Sequence, residues 1–327
     1  MKINSCGAKW VTVSIKLKKF LKRALPIVVI GFVIFVLSKM LKDVQVSDVV
    51  SAIKNFSGIT LANAIGLAAF GYVWLIGYDY LALRYLKRPV PWGRLVFTSL
   101  SAFALQRNVG PAPITGGAIR YRYYKKYGFS AADAAIITTL CGFFFTLGII
   151  FTAGLALLLD PQGLGRIIGA PNWLLRIAGA AILLGLSGFL IWSHFRNHPI
   201  KIRSWQAPPP SLGLSATQVV FGVVDISIVA GVLYVLLPAQ VELSYPAFVG
   251  IYVLAMLAGA LSHVPGGIGV FETILLLFIP GVDKGALLAA MLAFRGVYYL
   301  LPLLTMALVD AIYELAVRLQ RATAEGR

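Results

Sequence analysis

Residues 131–159 read AADAAIITTLCGFFFTLGIIFTAGLALLL. A helix needs roughly 20 predominantly apolar residues to cross a bilayer. This stretch offers 29 residues with one formal charge, Asp133, near its start. Five more stretches share its character: Ala24–Leu41, Ile59–Leu83, Trp173–Ser193, Ser215–Leu237 and Gly285–Val309, the last continuing as helix towards Gln320. Composition agrees. The 327-residue chain is 59% hydrophobic and 13% charged, against a charged share of about 25% in soluble domains. So few charges cannot cover so much apolar side chain in water, and lipid must be the solvent for much of the surface. The expected fold is all-α, a polytopic integral membrane protein with about six full spans. Its expected parts are a basic cytoplasmic tail at 1–23, one transmembrane domain at 24–320 and a short cytoplasmic tail at 321–327. The basic start reads as the flank of a retained anchor, because no Ala-x-Ala site follows the first apolar run.

Two apolar segments are broken. Leu95–Gln106 is short and ends at RNVGPAPITGG, residues 107–117. Pro246–Val264 runs into PGGIG, residues 265–269, and a second apolar piece, Val270–Ile279, follows. Both read as broken helices or re-entrant hairpins, because non-helical backbone at membrane depth survives only inside protein or beside a wet cavity. With each hairpin returning to its own side, 21 of the 29 Lys and Arg residues share the side of the N-terminus and six lie opposite, leaving Arg107 and Arg295 in the membrane. Cytoplasmic loops carry the positive excess, so both termini are expected in the cytoplasm and the protein in the inner (plasma) membrane. Ser204–Pro210, with three consecutive prolines, is expected to be a cytoplasmic linker.

The breaks share a pattern. Pro113-Ile-Thr-Gly-Gly-Ala-Ile-Arg120 and Val264-Pro-Gly-Gly-Ile-Gly-Val-Phe-Glu272 each place proline, paired glycines and a charge after an apolar helix. One reading is an inverted repeat, in which broken helices meet near the midplane and form a substrate site. The other is two unrelated kinks. Glycine lets the backbone approach a ligand closely, and a helix beginning after a break aims free N–H groups and its positive dipole end at the gap. That chemistry suits phosphate and brings Gly116, Gly117, Pro265, Gly266 and Gly267 into the candidate substrate site.

An ionisable group at the bilayer centre costs at least roughly 2.5 kcal/mol on insertion scales. Arg107, Asp225, Glu272 and Arg295 are therefore candidate substrate contacts, with ion pairs that only fix helix packing as the alternative. Arg295 is expected to pair with Glu272 first and Asp225 second. Asp79 and Asp310 lie nearer span ends and read as ordinary interfacial residues, and His263 as a satisfied buried histidine. RYRYYKKY, residues 120–127, holds four basic and four aromatic residues at the inner interface. It is expected to anchor the chain and to receive anionic headgroups, with Arg120, Arg122 and Tyr124 in contact. A guanidinium can grip a phosphate through two hydrogen bonds.

Other chemistries find little support. Cys6, Cys141, His194, His198 and His263 are too few and scattered for a metal site, and no cofactor is expected. The net charge of +17 sits between apolar spans, which is the positive-inside pattern rather than a nucleic-acid surface. No HExxH, Asp-rich metal motif, GxSxG or GxxxxGK[ST] occurs, and Ser262 and His263 are helix neighbours that do not face each other.

Three motifs in order carry a resemblance. Gly116, Gly117, Arg120, Tyr121, Arg122 and Tyr124 form the first. His263, Pro265, Gly267, Ile268, Gly269, Val270 and Glu272 form the second, and Arg295, Tyr298, Tyr299 and Pro302 the third. Together they resemble the YbhN-type inner-membrane proteins, within the superfamily of the transmembrane domain of lysylphosphatidylglycerol synthase, the multiple peptide resistance factor. The resemblance implies a helical, flippase-like domain that handles phospholipid. In the larger synthases a cytoplasmic catalytic domain makes the aminoacylated lipid, and this chain stops soon after its last span. The expected function is thus phospholipid binding or translocation, flippase- or scramblase-like, without an ATP motor and without catalysis. Membrane phospholipids are the expected partners. Two alternatives stand beside it: a non-catalytic partner of a lipid-synthesising enzyme, and an intramembrane lipid-modifying enzyme.

Overall fold

The computed structural model describes residues 51, 54, 56–109, 112–195, 200–202, 205–207, 211–261, 267–279, 282 and 284–325. All belong to one unit, Val46–Arg327. The expected first span Ala24–Leu41, the tail before it, Ser262, His263, Pro265 and Gly266 lie outside the described residues.

Helix α1, Gly58–Tyr85, begins where the Ser57 hydroxyl accepts the Thr60 N–H at 3.0 Å. Its end is unusual. The Lys87 N–H bonds Arg84 O and the Arg88 N–H bonds Leu83 O, both at 3.1 Å, with Lys87 at φ 54°. This is a Schellman turn with lysine where glycine is preferred, and a left-handed backbone costs a side-chain-bearing residue roughly 1–2 kcal/mol. Helices α2, Trp92–Gln106, and α3, Ala112–Tyr124, then pack on each other as the first hairpin. A 3₁₀ turn, Lys125–Tyr127, leads to α4, Ala131–Leu159. A reciprocal cap opens α4: Ser130 Oγ accepts the Asp133 N–H at 3.1 Å and Asp133 Oδ2 accepts the Ser130 N–H at 2.8 Å.

The short α5, Pro161–Ile168, precedes α6, Asn172–Phe195. Asp160 caps α5 through the Gly163 N–H at 2.7 Å and accepts the Ser244 hydroxyl, and these two bonds hold its carboxyl below the usual carboxylate range. Within the expected linker, Trp205–Ala207 pairs antiparallel with Ile200–Ile202 in a small ribbon. Helix α7, Leu212–Leu236, follows. The second hairpin is α8, Tyr245–Leu261, against α9, Val270–Phe278. Finally α10, Lys284–Phe294, passes through a π-helical turn, Arg295–Leu300, into α11, Leu301–Glu325.

Five of these elements are long and apolar enough to cross a membrane: α1, α4, α6, α7 and the run Lys284–Ala316. They match the expected spans after the first. Helix α6 is peripheral, with Trp173, Ile177, Leu184 and Trp192 exposed, as a lipid-facing helix requires. Helices α1, α4 and α7 form the centre. Lipid tails are as apolar as leucine, so helices associate through close backbone packing over small residues. A Cβ on Gly148 would lie 2.3 Å from the Gly222 Cα, and one on Gly222 would lie 2.5 Å from the Gly148 Cα. Only glycine at both positions allows this crossing of α4 and α7. We expect Gly148→Val to lower the melting temperature in detergent, with an overpacking penalty of about 1–3 kcal/mol. Gly142→Ala, which meets nothing within 4 Å, should leave it unchanged.

Candidate functional site

Among the described residues, three Arg–carboxylate pairs are largely buried between the helices, and their exposure separates them. Arg120 and Asp79 are both 0% exposed. Arg107 and Asp225 are 15% and 1% exposed, and Arg295 and Glu272 are 11% and 10% exposed. The first pair is sealed, and the other two keep surface that a ligand could reach.

Arg120 on α3 meets Asp79 on α1 in a two-point fork, Nε to Oδ1 at 2.7 Å and Nη2 to Oδ2 at 2.8 Å. Its Nη1 donates to Gln106 Oε1 at 3.2 Å and Thr138 Oγ1 at 3.1 Å, and Nη2 also lies 3.9 Å from Cys141 Sγ. All five guanidinium donors are engaged. The expected role of Arg120 as a headgroup contact is corrected: it clamps α1, α2, α3 and α4 together. Tyr124 is likewise corrected, being fully buried against Phe129. The cause is helical period. In residues 120–127, Arg120, Tyr123 and Tyr124 face inward while Arg122, Lys125, Lys126 and Tyr127 do not, the i, i+3, i+4 spacing of one buried stripe. Arg122 bridges Asp310, at 3.1 Å, and Glu314 on α11.

Asp79, expected at the interface, is fully buried, as is Asp225. The signal was present in α1, where Ala68, Tyr72, Leu75, Asp79 and Ala82 fall on one buried stripe. Asp310, also expected at the interface, is half-buried and paired with Arg122. Gly116 and Gly117 are the fifth and sixth residues of α3, past the first turn whose N–H groups are free. They do not present amides to a ligand. A Cβ on Gly116 would come within 2.0 Å of Gln106 Oε1 and 2.8 Å of Arg120 Nη1, so its missing side chain makes room for the fork. A Cβ on Gly117 would make an ordinary 3.7 Å contact with Thr138 Oγ1.

The tip of the first hairpin carries Arg107. Its Nη2 reaches Asp225 Oδ1 and Oδ2, both at 3.2 Å, and the Tyr78 hydroxyl donates to Oδ2 at 3.2 Å. Asp225 sits near the middle of α7. The Arg107 guanidinium lies 5.0 Å from the Tyr298 ring centroid. Its Nε and Nη1 make no hydrogen bond among the described residues. Beside it, Asn108 Nδ2 donates to Ala104 O at 2.8 Å and Tyr299 O at 3.1 Å, which pins the tip to the π turn.

The second hairpin reaches the same turn from another direction. Arg295 donates through Nε at 2.8 Å and Nη2 at 2.6 Å to Glu272 Oε1, the first of its two expected partners. Glu272 Oε2 accepts the Gly269 N–H at 2.7 Å, with Gly269 at φ 87°. The chain's own carboxylate therefore takes up the amide that caps α9. Gly267 serves packing, since a Cβ on Gly259 would lie 3.2 Å from its Cα. Between the pairs runs a ladder of rings. Phe271 stacks on Phe294 at 6.3 Å, and Phe294 on Tyr298 at 5.7 Å. Sequence reasoning missed Tyr78, Asn108, Phe294 and the π turn, which marks function often enough to be noted.

Comparison with known proteins agrees with this architecture. The model of the family described as "Lysylphosphatidylglycerol synthase TM region" matches residues 23–305. "Uncharacterized protein slr0712" of Synechocystis is 36% identical over 81% of this chain and 84% of its own. "Inner membrane protein YbhN" of Escherichia coli is 27% identical over 90% of this chain and 92% of its own. "Phosphatidylglycerol lysyltransferase" of Staphylococcus xylosus is 26% identical over 91% of this chain but 34% of its own, so this chain spans about a third of that protein. This places the chain among lipid-related membrane proteins.

Removing one partner of a buried ion pair typically costs about 3–5 kcal/mol, whereas apolar replacement of both is often near neutral. We expect Arg120→Gln to lower the melting temperature sharply, and Arg120→Lys to do so as well because the fork is lost. Arg120→Met combined with Asp79→Leu should recover much of the loss. Thermal unfolding of purified protein by intrinsic fluorescence would check all three.

Proposed function

The chain belongs to the lysylphosphatidylglycerol synthase TM region family, and on that premise we propose that it binds anionic phospholipid and passes the headgroup across the inner membrane without an ATP motor. The observation that carries this reading is Arg107, a guanidinium at a hairpin tip, held on one side by Asp225 and with Nε and Nη1 unbonded among the described residues. A phosphate can take the second side of such a fork while Asp225 keeps the first, so neither charge is left uncompensated in a medium where that is costly. The Arg295–Glu272 pair offers a second charged station, reached along the rings of Tyr298, Phe294 and Phe271. In this scheme the hairpins come from opposite faces of the membrane, and Arg122, bridging Asp310 and Glu314, lies at the cytoplasmic end of the path. Gly267 and Gly269 keep the second tip close to its neighbours.

The test is lipid movement in vesicles, followed by protection of labelled headgroups from an impermeant reductant. Arg107→Gln and Asp225→Asn should each slow movement of a labelled anionic phospholipid at least about tenfold, equivalent to one charge-assisted contact of roughly 1.4 kcal/mol. Variants that fold normally and move anionic lipid at the wild-type rate would remove the central pair from the path. A second reading has its own support: the matching region of the lysyltransferase is about a third of a longer protein. In that reading the chain is a non-catalytic partner of a lipid-synthesising enzyme, and such an enzyme would co-purify with it from native membranes while the vesicles showed no lipid movement.

A further inference from the structure

Between the end of α1 and the start of α2 lies an open cleft of about 380 Å³. Arg84, Lys87 and Arg88 supply its charge, and Leu83, Tyr80 and Trp92 supply an apolar wall. Arg88 is fixed, donating to Asp133 at 2.9 Å and to Gly128 O at 2.8 Å, with its guanidinium 4.0 Å from the Phe129 ring centroid. Arg84 and Lys87 are exposed and join no ion pair among the described residues. The Tyr80 and Trp92 rings meet edge to face at 6.0 Å. The chain thus sets unpaired cations beside aromatic and aliphatic surface at a helix end, where a membrane-spanning α1 reaches the headgroups.

Cations at a helix C-terminus also complement its dipole, and that alone could account for Arg84. It does not account for Lys87. A charge for the dipole can stand anywhere in the last turn, whereas Lys87 occupies the left-handed position of a Schellman turn, φ 54°, where glycine is free of strain. Residues held in such sparsely populated backbone regions cluster at ligand clamps and switch regions, and this side chain lines the cleft.

We infer that this cleft is a docking site for an anionic phospholipid, with Arg84 and Lys87 on its phosphate, Arg88 as the fixed cation behind them, and its acyl chains along Leu83, Tyr80 and Trp92. The inference rests on reading the chain as a lipid-handling protein, yet the site is distinct from the central pair. Arg84 and Lys87 follow Tyr78, the partner of Asp225, by six and nine residues, roughly 9–14 Å along a helix.

The deciding variant relieves strain rather than adding it. Purified full-length Lys87→Gly should melt no lower than wild type without lipid. In native mass spectrometry its affinity for phosphatidylglycerol should fall roughly tenfold, the effect of removing a charge-assisted contact. Arg84→Gln with Lys87→Gln should lose one bound phosphatidylglycerol per chain and adding Arg107→Gln should remove a further one, so that failure at the cleft and failure at the centre are told apart. Phosphatidylcholine should be retained weakly by all of them. Wild-type retention of phosphatidylglycerol by both cleft variants would overturn the proposal. So would a rise in melting temperature with inorganic phosphate alone that equals the rise with phosphatidylglycerol and is lost in Lys87→Gly, because the site would then read a free anion.

Discussion

A charge buried among membrane helices must be compensated where it stands, and the Arg120–Asp79 fork is where this chain meets that constraint most completely. The pair is inaccessible, joined at two points, and satisfied at every remaining donor by side chains of α2 and α4. Its consequence is positional. The returning arm of the first hairpin is tied to α1 by Arg120, and the hairpin base is tied to α11 by Arg122 and by Arg94, whose Nη2 donates to the Tyr313 hydroxyl at 3.1 Å. With root and returning arm fixed, the tip has little choice of place. Arg107 falls on Asp225 and Asn108 on the π turn.

The π turn is satisfied by its neighbours rather than by its own helix alone. Tyr298 O accepts the Tyr72 hydroxyl at 3.2 Å and Tyr299 O accepts Asn108 Nδ2 at 3.1 Å. Irregular backbone at this depth is tolerated only when protein groups re-satisfy it, and here the donors come from α1 and from the hairpin tip. The turn is thus the place where α1, the first hairpin and, through Arg295 and Glu272, the second hairpin all converge. The glycines around it act mostly by absence. Gly116 makes room for a guanidinium, and Gly259 and Gly267 let two backbones touch.

What could be read in the sequence follows from what lipid does to sequence signals. Length and apolarity marked α1, α4, α6, α7 and the last span, and Pro and Gly marked both breaks. The cost of an unpaired arginine was enough to join Arg295 to Glu272. The inward faces were harder to read. In a soluble helix polar residues mark the outside, but a lipid-facing surface is apolar too, so α1 presents little contrast around its circumference. Distance from the span end therefore points Asp79 to the interface, whereas its stripe with Tyr72, Leu75 and Ala82 turns it inward. Adjacency in a dense run groups Arg120 and Tyr124 with Arg122, and the helical period separates them. Gly116 looked like a ligand-approach glycine because its neighbour in space, Gln106, is ten residues away in sequence.

The described ion pairs all use arginine and never lysine, although lysines are available at the same surface. A lysine ammonium is one compact charge, whereas a guanidinium is a planar fork with five donors that can hold two acceptors at once. Where the fork is filled by protein, as at Arg120, the result is a fixed joint. Where part of it is left over, as at Arg107, the same group can stay bonded to its carboxylate and still accept a phosphate. A lysine there would crowd Asp225 and the ligand onto one nitrogen, whereas the guanidinium holds them on separate nitrogens of a rigid plane. On the proposed reading, the difference between the sealed fork and the open one is the difference between the parts of this protein that hold its shape and the part that meets lipid.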